Sequence, residues 1–136
     1  MTTADAPPAV RARGGCLCGA VRFEVVGELR DVVLCHCTMC RKTHGHVGAY
    51  TATPKAALRY TETRGLRWYA SSKTARRGFC AECGASLLWE RATKDDVSIA
   101  AGALDAPTLL ATTLQIHTRS AGDYYEIDPR VLERGD

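Results

Sequence analysis

A mostly β domain is the fold class this sequence predicts, and three observations predict it. The apolar runs are short, and most of them alternate or are β-branched, as strands do. Helical periodicity is scarce. Seven cysteines fall into three tight clusters, Cys16-Leu17-Cys18, Cys35-His36-Cys37-Thr38-Met39-Cys40 and Cys80-Ala81-Glu82-Cys83, which read as turns wrapped around metal between strands.

Residues 1 to 13 are rich in Ala, Pro and Arg with no apolar period, and are expected to form a flexible N-terminal tail. A single domain is expected from residue 14 to residue 136, because a chain of 136 residues buries one core. Strands are expected within Ala20 to Val26, Val32 to Leu34, Val47 to Thr51, Leu66 to Tyr69, Ala85 to Trp89, Val97 to Ala101 and Leu110 to Ile116. Thr38 to His44 reads as one helical turn after a metal knuckle. Pro54 to Ala57 and Pro129 to Glu133 read as further turns, with Pro near a first helical position.

Disulfides are the rival reading of so many cysteines. The count is odd, Met1 to Pro8 has neither the charged start nor the apolar run of a signal peptide, and no stretch approaches the ~18 apolar residues of a membrane span. A cytoplasmic, reducing location is expected, where clustered thiols stay available to metal. Zinc is the first candidate. Two Zn²⁺ ions bound by seven thiolates would bring the formal charge of +3 to zero, which argues against nucleic acid or a membrane as partner.

The first and third clusters echo each other, Cys-Leu-Cys-Gly-Ala against Cys-Ala-Glu-Cys-Gly-Ala, each leading into a strand. Gly19 and Gly84 suit a chain that turns back with positive φ and aims backbone N–H groups at sulfur. Cys16, Cys18, Cys80 and Cys83 are thus expected to share one structural zinc in a closed four-sulfur site. Cys35, Cys37 and Cys40 are left as a three-sulfur site for a second zinc, with the open fourth position of catalytic centres. His44 is the residue that could close it, since His36, between two ligands, would strain the turn. A second cluster without metal is the other alternative.

Over Gly14 to Ile127 the chain resembles the glutathione-dependent formaldehyde-activating enzyme family, also called the centromere protein V family. The resemblance rests on Gly15-Cys16-Leu17-Cys18-Gly19-Ala20-Val21-Arg22, on Cys35-His36-Cys37-Thr38-Met39-Cys40-Arg41-Lys42 and on Arg77-Gly78-Phe79-Cys80-Ala81-Glu82-Cys83-Gly84-Ala85-Ser86-Leu87. It implies a β-tent type fold of packed antiparallel sheets. It also implies a structural zinc on Cys16, Cys18, Cys80 and Cys83 and a catalytic zinc on Cys35, Cys37 and Cys40. The implied activity adds glutathione to formaldehyde, formally a carbon–sulfur lyase run backward. His44-Gly45-His46 stands where small or apolar residues would be expected in that family.

Such a reaction needs a proton for the alkoxide, and His36, His44 and His46 are the candidates. The two carboxylates of glutathione call for Arg or Lys, with Arg41, Lys42, Arg76 and Arg77 nearest the clusters and Lys73 a further basic residue there. One of Trp68 and Tyr69 is expected to pack inward, Trp89 to be core, and His117 to be structural. Two further readings stand beside the enzyme. One is a non-catalytic, zinc-stabilised binding module, which a protein ligand in the fourth position would favour. The other is nucleic-acid binding through Arg59, Arg64, Arg67, Lys73, Arg76 and Arg77, which has no recognition helix. The sequence leaves a homodimer through a sheet edge open.

Overall fold

The computed structural model describes residues 8–134. Its strands are β1 (Ala12–Gly15), β2 (Arg22–Val25), β3 (Val32–Cys35), β4 (Gly48–Pro54), β5 (Leu58–Glu62), β6 (Leu66–Ala70), β7 (Ala75–Cys80), β8 (Ser86–Arg91), β9 (Asp96–Ala100), β10 (Thr112–Ile116) and β11 (Leu132–Glu133). Helix α1 (Thr38–His44) follows β3. The large sheet has the order β11-β10-β3-β4-β9-β8-β7-β6, and the small one the order β1-β2-β5. Pairing is antiparallel except at one edge, where β10 runs parallel to both β3 and β11.

The two sheets close on one apolar core. Val21, Phe23, Val25 and Leu58, in and beside the small sheet, meet Leu87, Leu88, Val97 and Ile99 of the large one, all buried. Strand alternation does the sorting. Val97 and Ile99 of β9 point into this core, while Asp96 and Ser98 line a cleft on the other face. The mostly β class is as the sequence predicts.

Several elements differ from expectation. Strand β1 opens at Ala12, inside the expected tail, and Arg11 N donates to Val25 O at 2.7 Å. Its sequence Ala-Arg-Gly-Gly carries no apolar alternation; backbone pairing with β2 and the cross-strand Arg13–Glu24 ion pair at 3.0 Å hold it in place. Residues 1–7 of that tail lie outside the described residues. Strands β5 and β7 escape notice because Arg59, Tyr60, Arg76 and Arg77 interrupt their apolar pattern. Lys55–Ala57 makes one 3₁₀ turn near the expected place. Pro129 to Glu133 is a turn followed by β11 rather than a helical turn, its pairing partner being β10 far back in sequence. No helix among the described residues is long and apolar enough to cross a membrane.

Candidate metal centres and the cleft between the strands

The two knuckles of the echo meet as the sequence predicts. Cys16, Cys18, Cys80 and Cys83 place their sulfurs within 4.8 Å of one another. The Cys16–Cys18 and Cys18–Cys80 separations are 3.7 and 3.8 Å. A tetrahedron with metal–sulfur bonds of about 2.3 Å has edges of about 3.8 Å, so this set fits a single metal ion such as zinc. Gly19 and Gly84 adopt φ of 86° and 81°, which lets each chain fold back. Val21 N donates to the Cys16 sulfur at 3.2 Å and Cys83 N to the Cys80 sulfur at 3.5 Å. These N–H groups stabilise negative sulfur.

Cys35, Cys37 and Cys40 form the second group, again within 4.8 Å. Cys35 ends β3, Cys37 is the N-cap of α1, and Cys40 lies buried in its first turn. The Cys37 sulfur accepts from Cys40 N at 3.3 Å, so the cap that starts the helix also sets the spacing of two sulfurs. The hydrogen bond from Cys35 holds the Cys40 thiol down at about 6, with Cys37 and the guanidinium of Arg77 acting in the same sense against burial. Cys35 is pushed up in return by its bond to Cys40 and by burial. No histidine among the described residues joins either group.

The three histidines in and beside the second group, His36, His44 and His46, each bond a tyrosine hydroxyl. His36 is buried, its Nδ1 bonded to the Tyr125 hydroxyl and its Nε2 to Gln115 Oε1 at 3.0 Å. His44 Nε2 meets the Tyr50 hydroxyl at 2.5 Å, and burial followed by the nearby charge of Arg77 lowers its pKa. His46 Nδ1 bonds the Tyr124 hydroxyl at 2.8 Å.

Cys35, Cys37 and Cys40 line a cleft of about 510 Å³ on the outer face of the large sheet. Cross-strand register builds its floor: Arg77 of β7 stands opposite Trp89 of β8, and Trp89 opposite Ser98 of β9. Arg77 is nearly buried, donating from Nη1 to the Tyr50 hydroxyl at 3.2 Å and from Nη2 to the Cys40 sulfur at 3.9 Å. Arg30, Arg91, Lys94 and Arg134 add positive charge to the walls, against one carboxylate, Asp96.

Of the basic residues nearest the clusters in sequence, only Arg77 lines this cleft. Arg76 points the other way, as a strand neighbour must, pairing with Glu90 at 2.6 Å and stacking on Trp68 at 3.9 Å. Arg41 and Lys42 sit in the last turn of α1, where positive charge suits the helix C-terminus. Arg64 pairs with Glu62 and Glu82, so the basic run of β5 to β7 is not one continuous face. Trp89 lines the cleft instead of filling the core, and His117 reaches it from a left-handed backbone at φ 56°. Trp68 packs against the core while Tyr69 is exposed. Arg30, Arg91, Lys94 and Arg134 lie outside the cysteine motifs and carried no local signal.

Residues 11–120 match the family described as glutathione-dependent formaldehyde-activating enzyme. An uncharacterised lyase of Schizosaccharomyces pombe is 36% identical over 77 residues, which cover 56% of this chain and 55% of that protein. The chain thus matches about half the length of this curated relative. A crystal structure of a Rhodobacter sphaeroides protein superposes with a TM-score of 0.58 at 29% identity, covering 69% of this chain and 88% of the other. With residues 11–120 of its 136 matched by that model, the chain belongs to the glutathione-dependent formaldehyde-activating enzyme family.

Proposed function

We infer that the chain is a zinc enzyme of the carbon–sulfur lyase class, adding a small thiol such as glutathione to formaldehyde or a similar small aldehyde. The observation that carries this reading is the three-sulfur group itself, which opens into a basic cleft with no fourth protein ligand among the described residues. A zinc ion held by Cys35, Cys37 and Cys40 supplies a Lewis acid that ionises a thiol at neutral pH. A second ion on Cys16, Cys18, Cys80 and Cys83 ties the small sheet to β7 and serves the fold.

The chain's own residues do the rest. Arg30, Arg91, Lys94 and Arg134 offer charge-assisted hydrogen bonds to the carboxylates of an anionic thiol, and Asp96 a partner for its ammonium. Trp89 supplies an apolar wall beside them. Arg77 keeps positive charge against the Cys40 sulfur, adding to the hydrogen bond from Cys35 that favours its ionised form. As the sulfur–carbon bond forms, the carbonyl π pair moves to oxygen, and the alkoxide takes up one proton.

A zinc-stabilised binding module is the second reading, and it would be favoured by a protein ligand closing the second site. His44, the candidate for that role, is bonded to Tyr50 instead. The test is zinc stoichiometry on anaerobically purified protein, with metal coordination followed by X-ray absorption during glutathione titration and formaldehyde consumption assayed alongside. The enzyme reading expects two ions, a new sulfur at one of them and turnover. Two ions indifferent to glutathione and no turnover would sink it.

A further inference from the structure

We propose that Tyr50 is the proton donor of the cleft and that His44 resupplies it from the opposite face of the large sheet, a proposal that rests on the thiol–aldehyde reading above. Tyr50 stands on β4 and lines the cleft together with the three cysteines. Its ring is packed close to Cys40, since a Cβ placed on Gly48 would lie 2.9 Å from Tyr50 Cε2 and 3.1 Å from the Cys40 sulfur.

The hydroxyl has one proton and two lone pairs to place. Arg77 can only donate, and its Nη1 fills one lone pair at 3.2 Å. His44 Nε2 lies 2.5 Å away, and in the tautomer protonated at Nε2 it fills the other. The phenolic proton is then turned toward the cleft, where the aldehyde oxygen must lie if its carbon is to meet a sulfur beside Cys40. His44 itself lines a separate pocket of about 550 Å³, bounded by Gly15, Cys16, Ala103 and Asp105 among others. The pocket and the cleft share no lining residue, so the Tyr50–His44 bond joins two otherwise distinct openings.

The proton count balances. Carbon–sulfur bond formation leaves negative charge on the former carbonyl oxygen, and Tyr50 gives that oxygen its phenolic proton. The phenolate, held by Arg77, takes the Nε2 proton of His44. The Nδ1 of His44 takes a proton from water in the second pocket, replacing the one the thiol released on ionising. The addition is then neutral in protons overall, and exchange with solvent, one proton lost at Nδ1 and one regained at Nε2, returns His44 to its starting tautomer before the next turnover. Arg77 is a positioning residue in this scheme, and Tyr50 alone touches the reacting atoms.

The experiment compares the zinc-loaded full chain with Tyr50→Phe and His44→Ala, using glutathione and formaldehyde. A general acid contributes about 10²- to 10⁴-fold, so Y50F should lose that factor in kcat with zinc content and glutathione affinity unchanged. H44A should also slow, and added imidazole should restore H44A but not Y50F. A readout independent of turnover is the ¹³Cζ resonance of Tyr50, identified by its loss in Y50F, which should move in H44A and return with imidazole. Full kcat in Y50F beside an active wild type, or a Tyr50 resonance indifferent to H44A, overturns the proposal alone. A wild type that does not condense the pair overturns the thiol–aldehyde reading and the catalytic role together, while the resonance still reports on the Tyr50–His44 bond.

Discussion

The Nη2 of Arg77 lies 3.9 Å from the Cys40 sulfur, so β7 holds a nearly buried guanidinium against the thiol group built by β3 and α1. The same strand ends at Cys80, fully buried in the other cysteine group. One six-residue strand therefore touches both candidate metal centres, and changes along it should separate their roles.

Cys80→Ser should prevent folding, whereas Cys37→Ser should leave a folded chain that has lost one metal. Binding of a structural zinc is worth on the order of 10 kcal/mol, comparable with the whole stability of a domain of about 5–15 kcal/mol. Thermal unfolding with zinc counted per chain checks this. Equal destabilisation by both substitutions would contradict the division of labour.

Two glycines offer a milder version. A Cβ on Gly65 would sit 2.8 Å from the Cys80 sulfur and 2.8 Å from Ala20 Cβ, while one on Gly48 would press on Tyr50 and Cys40. Overpacking of this kind costs about 1–3 kcal/mol. Gly65→Ala should weaken metal binding at the four-cysteine group, and Gly48→Ala should weaken it at the three-cysteine group alone. Competition with a chromophoric chelator would resolve the two.

The second group should titrate asymmetrically when free of metal. Cys40 ionises at about 6 in the fold against an ordinary 9.0, so between those values the unfolded chain binds the extra proton. Stability should rise with pH across that window and be lost as pH falls through about 6. Cys35 is shifted upward, so above the ordinary thiol range the unfolded chain ionises first and stability should fall again. Ultraviolet thiolate absorbance and denaturant melts across this range test both limbs. Arg77→Met should move the lower midpoint upward.

Charge in the cleft should govern affinity for an anionic thiol. Arg30→Gln and Lys94→Gln each remove a donor of charge-assisted hydrogen bonds, worth about 1.5–3 kcal/mol, and should weaken glutathione binding by about 10- to 150-fold. Arg76→Gln should leave that affinity unchanged, since Arg76 pairs with Glu90 on the other face of the sheet. Calorimetric titration of the three variants distinguishes cleft charge from surface charge.

What the sequence determined by itself was whatever depends on near neighbours in the chain. The spacing of the cysteines and the glycine after each knuckle specified two sulfur groups, and the turn-forming run Thr38 to His44 specified α1. Alternating apolar residues specified most strands of the large sheet. Only the tertiary structure decided what surrounds the sulfurs. Arg77 and Arg76 are adjacent in sequence, and the two-residue period of a strand sends one to Cys40 and the other to Glu90. His36, inside the cysteine run, is drawn off by Gln115 and Tyr125, and Tyr50 meets His44 only because β4 packs beside α1. Cross-strand register and packing against distant segments make these choices, and neither leaves a mark within the few residues over which a motif is read.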